Sequence, residues 1–167
     1  GSIIAFTGAY GGNRDVYIVS SRGGEPKRLT WHPGSEEVIG WMPDGKQIIF
    51  RSTAFDPHNS AHLFTVDLEG GEPVELPLSW AARLDVDRSS GSWAFNRQSR
   101  DTRTWKRYRG GRATDIWVGH PDRADFTKIT DFEGQDAFPM WHGDRIYFLS
   151  DQGGTGNLWS IKPDGTD

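Results

Sequence analysis

Seven cationic side chains crowd one stretch of the chain: Arg97, Arg100, Arg103, Lys106, Arg107, Arg109 and Arg112, with Trp105 and Tyr108 set among them. Guanidinium forks grip carboxylates and phosphates, and aromatic rings stack on bases or on apolar surface. Three chemistries fit such a stretch. It could bind nucleic acid, it could grip the carboxylates of short peptides, or it could pack its rings on neighbouring structure while the arginines satisfy carbonyls and acids there. A single short basic patch on a chain of net charge -4 argues against nucleic acid. The packing reading is favoured. Trp105, Lys106, Arg107, Tyr108 and Arg109 are the candidate contacts to peptide or to another domain.

Other clusters carry weaker signals. Asp56, His58 and His62 lie close together and could ligate zinc, but their spacing matches no strong metal motif. Asp56-Pro57-His58-Asn59-Ser60 also reads as a plain turn, which is preferred. Asp85 and Asp87 place two carboxylates on one face of a strand. With no partner motif they read as an inner-strand rim or as acceptors for backbone N–H groups. Gly153-Gly154-Thr155-Gly156 joins two strands and opens no helix, so it reads as a hairpin loop and not as a phosphate cradle. Serines and five histidines are present, yet no Gly-x-Ser-x-Gly elbow is. No catalytic residue, metal or cofactor is assigned.

Composition bounds the classes further. There are 167 residues and no cysteine, which excludes disulfides and thiolate metal sites and is compatible with a reducing cytoplasm. No apolar run approaches the ~18 residues of a membrane span, so no membrane partner is expected. Gly1-Ser2 reads as a vector-derived leftover. Twenty-one glycines and eight tryptophans suit short aromatic strands joined by tight turns.

The elements that must position these side chains repeat. A strand ending in Phe recurs as 3–6, 47–50, 92–95 and 145–148, and an aromatic-centred strand follows each at 15–18, 62–65, 115–118 and 157–160. The period is roughly 44 to 53 residues, that of a four-stranded propeller blade. In the second repeat Val38–Met42 reads as the inner strand and Pro43-Asp44-Gly45 as a hairpin turn. Gln47–Thr53, His62–Leu68 and Pro73–Leu78 complete that blade. Lys27–Thr30 and Lys128–Thr130 are the expected outer strands elsewhere. Both faces of the strands are apolar, as stacked blades require. Trp31, Trp41, Trp80, Trp93, Trp141 and Trp159 are expected to fill space between blades.

The fold class is therefore all-β, a partial β-propeller spanning 1–167 with about three and a half four-stranded blades of a probable six-bladed parent. The blades are about 3–31 lacking the inner strand, 37–78, 81–132, and 136–167 lacking the outer strand. Open blades leave unpaired edges, so self-assembly into a homo-oligomer is expected.

The Pro-Asp-Gly-Lys and Gly-Gly-Glu-Pro turns resemble those of TolB and prolyl-oligopeptidase propellers. Trp105-Lys106-Arg107-Tyr108-Arg109-Gly110-Gly111, Asp115-Ile116-Trp117-Val118, Asp144–Asp151 and Asp164-Gly165-Thr166-Asp167 closely resemble the N-terminal six-bladed propeller of the tricorn protease family. That resemblance runs from about Ile3 to Asp167. It implies a non-catalytic channel wall or scaffold of a large cytoplasmic, hexameric serine peptidase that degrades oligopeptides, with peptides passing the channel. The catalytic serine and histidine would lie in other domains. The family's carboxylate-anchoring arginine pair falls on His32-Pro33-Gly34-Ser35-Glu36-Glu37, which is acidic and holds no arginine, so no binding residue is carried over. The alternatives are a protein-interaction propeller of the TolB kind and an engineered propeller fragment that self-assembles.

Overall fold

The computed structural model describes residues 1–99 and 108–167. They form two compact units, Gly1–Trp80 and Ala81–Asp167. Among the described residues the regular elements are all strands. No helix among them is long and apolar enough to cross a membrane.

Unit 1 holds two antiparallel sheets. The first blade has β1 (Ile3–Gly8), β2 (Asp15–Ser20) and β3 (Lys27–Arg28), in that order. The second has β4 (Glu36–Trp41), β5 (Gln47–Ser52), β6 (His62–Asp67) and β7 (Val74–Glu75), again in chain order. The turn chemistry is local. Asp44 Oδ1 accepts the Lys46 N–H at 3.0 Å while Gly45 takes φ 71°, which closes the β4–β5 hairpin. Val16, Ile18 and Leu29 from the first blade meet Ile48, Phe50, Phe64 and Val66 from the second in one buried core. The two sheets therefore pack face to face.

Unit 2 repeats the plan. Its third blade has β8 (Arg83–Val86), β9 (Trp93–Asn96), β10 (Trp117–Gly119) and β11 (Thr127–Lys128). Its fourth has β12 (Asp136–His142), β13 (Arg145–Ser150) and β14 (Asn157–Ile161). Ala94, Ile116 and Val118 pack with Ile146 and Phe148 as the core. The inner strands of the second and fourth blades each carry a register irregularity, at Val38/Gly40 and Ala137/Met140.

A polar clasp joins the two blades of each unit. In unit 1, Val38 N–H donates to Thr7 Oγ1 at 2.9 Å and Glu36 N–H to Arg14 O at 2.8 Å. In unit 2, Phe138 N–H donates to Asn96 Oδ1 at 2.9 Å and Asp136 N–H to Thr114 O at 2.9 Å. Asn96 Nδ2 also donates to the carbonyls of Asp115 and Asp136, at 2.6 and 3.0 Å. Thr7 and Asn96 hold the same place, one residue past Phe6 in β1 and Phe95 in β9.

Two expectations need correction. The outer strands are two residues long and not the longer runs read from sequence. In the first and third blades the reason is a side chain. Thr30 Oγ1 accepts the Val16 N–H at 2.9 Å, and Thr130 Oγ1 accepts the Ile116 N–H at 3.0 Å, each where a ladder carbonyl would otherwise sit. The tryptophans also divide. Trp93 is buried, and Trp41 and Trp141 pack against the two cores. Trp31 and Trp80 are 64% and 49% exposed, because they lie in connectors beyond the outer strands.

Candidate functional site

The basic stretch leaves β9 and returns to β10. Trp105, Lys106 and Arg107, with Arg100 and Arg103, lie outside the described residues. Tyr108 and Arg109 are described, and Arg109 is firmly placed. Its guanidinium stands 4.5 Å from the Phe132 ring centroid, Nη1 lies 3.2 Å from Asp151 Oδ2, and Nη1 donates to Tyr108 O at 3.1 Å. Asp151 Oδ1 in turn accepts the Gln135 N–H at 3.1 Å. Arg109 is thus pinned to the β11–β12 connector and to the residue that follows β13. Gly134 sits beneath the group, and a Cβ there would collide with Phe132, Arg109 and Asp151. Arg97 lies 5.6 Å from the Trp117 ring centroid, a second cation–π contact.

Beside Arg109 opens a groove of about 540 Å³ that also touches Gly110, Asp115, Lys128, Asp131 and Glu133. Its charges are of both signs. Burial raises the Asp115 carboxyl, and Lys128, 3.6 Å away, works against that rise. The arrangement can complement groups of either charge. Among the described residues its lining includes no serine and no histidine.

The second cluster resolves as a bridge. His62 Nδ1 is 2.7 Å from Glu75 Oε1 and Nε2 is 3.1 Å from Asp56 Oδ2. Both ring nitrogens face carboxylate oxygens, so the protonated ring donates to both. Burial disfavours the charged ring, but the hydrogen bonds from Glu75 and Asp56 outweigh it and raise the His62 pKa. Asp56 accepts the His58 N–H as a turn cap, and its pKa is lowered chiefly by that bond. No group of three or more potential metal ligands occurs among the described residues.

The remaining candidates are local structure. Asp85 Oδ2 accepts the Trp141 N–H at 2.6 Å and Oδ1 the Val86 N–H at 3.0 Å, which ties β8 to β12. Asp87 takes the N–H groups of Ser89 and Ser90 and both their hydroxyls. Desolvation opposes its charge, but these donors win and lower its pKa to about 2. Both carboxylates are thus acceptors for backbone N–H groups. The 153–156 stretch joins β13 to β14, with Gly154 at φ 88°.

Sequence reasoning missed one class of group. Glu36 and Asp136, the first residues of β4 and β12, are each 1% exposed. Their signal was legible as a repeat: an acid stands six residues after Thr30 and again six residues after Thr130.

The whole chain, residues 1–167, matches the model of the tricorn protease N-terminal β-propeller domain. It is 33% identical to tricorn protease homolog 1 of Streptomyces coelicolor over all of this chain and 16% of the relative. It is 32% identical to the tricorn protease of Thermoplasma volcanium over 92% of this chain and 15% of that one. Among solved structures, the tricorn protease superposes with a TM-score of 0.86 at 31% identity, covering 99% of this chain and 17% of that one. TolB of Acinetobacter baumannii superposes at 0.69 with 20% identity over 99% of this chain and 39% of its own, a likeness of fold alone. The chain spans about one sixth of the tricorn relatives it matches. On these grounds it belongs to the tricorn protease N-terminal β-propeller domain family.

Proposed function

We propose that the chain is a non-catalytic channel-wall segment of a tricorn-like serine peptidase that degrades oligopeptides. The observation that carries this reading is the match of residues 1–167 to the propeller family at about one sixth of the relatives' length. Its side chains support the same view: the carboxylates and histidine singled out by sequence are spent on caps, clasps and a bridge. The parent works in the cytoplasm as a homo-oligomer, and the peptides pass along the propeller. Trp105, Lys106, Arg107, Tyr108 and Arg109 meet a neighbouring domain or the peptide, and the docking of Arg109 onto Phe132 and Asp151 favours the supporting role.

The test is hydrolysis of fluorogenic oligopeptides. The full-length parent should turn them over and lose activity on replacement of a serine outside this region, whereas the isolated chain should give no turnover. Turnover by the isolated chain that disappears on replacing one of its own serines would overturn the reading.

A further inference from the structure

Glu36 opens β4 with its side chain buried in unit 1. Neither carboxyl oxygen has a well-formed hydrogen bond. The Thr30 oxygen accepts the Val16 N–H at 2.9 Å, and its hydroxyl proton remains to ease a charge on Glu36. Ser52 stands opposite on β5 and turns its hydroxyl to the Ser35 carbonyl, at 3.5 Å. Two charged groups act on Glu36 among the described residues. Arg28 from β3 is the cation, and its Nη2 lies 2.8 Å from Asp15 Oδ2. Asp15 from β2 is the anion, itself 0% exposed, and it opposes a second negative charge beside it. A carboxylate in this place would lack water, with only the Thr30 hydroxyl and an Arg28 shared with Asp15 to support it.

We propose that Glu36 is carried in the fold as a neutral carboxylic acid, and that loss of its proton loosens the seam between the first and second blades of unit 1. Burial, with Asp15 adding to it, pushes the carboxyl from 4.5 to about 7. Once charged, Glu36 must either reach water or compete with Asp15 for Arg28. The first route pulls the start of β4 away from the first blade, and the second breaks the Asp15–Arg28 pair that holds β2 to β3 beside it. The bonds at stake are Glu36 N–H to Arg14 O, Val38 N–H to Thr7 Oγ1, and Asn13 Nδ2 to His32 O at 2.7 Å. The seam is thereby a pH-sensitive joint, closed in acid and loosened above neutrality.

The experiment is an NMR titration of the glutamate side-chain carboxyl carbons in the whole chain, with amide exchange followed over the same pH range. One glutamate should titrate near neutrality, and its signal should vanish in Glu36→Gln. Above neutrality the amides of Glu36 and Val38 should exchange faster in the wild type than in Glu36→Gln at the same pH. Should that variant fail to fold, the wild type still decides: exchange at Glu36 and Val38 must steepen with pH relative to Ile48 and Phe50 of the same unit. The proposal fails if every glutamate titrates in the ordinary carboxylate range, or if the seam amides run parallel to those of the core.

Discussion

The two units build the same joint from different acids. In unit 1 one acid is Asp15, at the start of β2, wholly buried and paired with Arg28 at 2.8 Å; in unit 2 its counterpart is Asp115, two residues before β10, with its side chain 26% exposed and Lys128 at 3.6 Å. The inner-strand acid is Glu36 in one and Asp136 in the other. Asp136 has two hydroxyl donors, Ser150 and Thr130, where Glu36 has only Thr30. Burial raises both carboxyls, but the extra donor works against the rise at Asp136. The connectors differ in the same spirit. Trp31-His32 of unit 1 becomes Asp131-Phe132 in unit 2, where Arg109 covers the ring. The difference teaches that one backbone plan tolerates different polar solutions, provided each acid finds either donors or a proton.

The comparison can be broken at the clasp, at the acids, at the glycines and at the pinned arginine. The largest effect is expected at the clasp. Asn96→Ala strands two carbonyls and one buried N–H, which should cost about 3 kcal/mol in urea unfolding, while Thr7→Ala removes one acceptor and should cost about 1 kcal/mol. Equal losses would show that the two clasps are interchangeable.

At the acids the prediction concerns pH. Glu36 holds its proton in the fold at pH values where the unfolded chain has released it. Stability therefore falls as pH rises from 4.5 to about 7 and levels off above. The shift corresponds to about 3 kcal/mol. Glu36→Gln should flatten that slope, and Asp136→Asn should change it less. Melting temperatures of the three proteins between acid and neutral pH decide the point.

Smaller effects sharpen the picture. A Cβ on Gly34 would strike the Ala54 methyl, which has nowhere to rotate, whereas one on Gly134 meets the movable ends of Phe132, Arg109 and Asp151. Gly34→Ala should therefore cost more, about 2 kcal/mol against about 1 kcal/mol for Gly134→Ala. Arg109→Ala should lower stability by only about 0.5–1 kcal/mol, since its pair with Asp151 is half exposed. The weakest is the His62 bridge. Its raised pKa means a contribution present below the unfolded value near 6.5 and lost as pH climbs through the folded value, a window above that of Glu36. His62→Gln should remove a slight decline in melting temperature in that range.

Much of this was legible from residue order. The strand-ending phenylalanines, the Asp44-Gly45 hairpin and the Gly-Gly turns at 23–24 and 70–71 announce blades, because strand alternation and turn geometry are local properties. The role of Asp87 as an N–H acceptor was also within reach, since an acid beside a turn finds backbone donors close by, whereas the bond from Trp141 to Asp85 crosses between strands far apart in the chain. The burial of the acids was not legible, for the repeat that sets an acid six residues after Thr30 and Thr130 says nothing of its solvent. Glu36 reads as a surface residue in an acidic run, and only the packing of β2 and β3 against β4 removes its water. The length of the outer strands escaped for a similar reason. Thr30 and Thr130 take ladder positions with side chains that no strand pattern reveals.

Sequence by itself determined the all-β repeat, the turns and the number of strands in each blade, because each depends on neighbours a few residues apart. Tertiary structure alone decided which acids lose their solvent, which arginine is pinned and which tryptophans stay exposed. Those outcomes depend on groups dozens of residues away in the chain, and the free energy of a charge is set by what surrounds it.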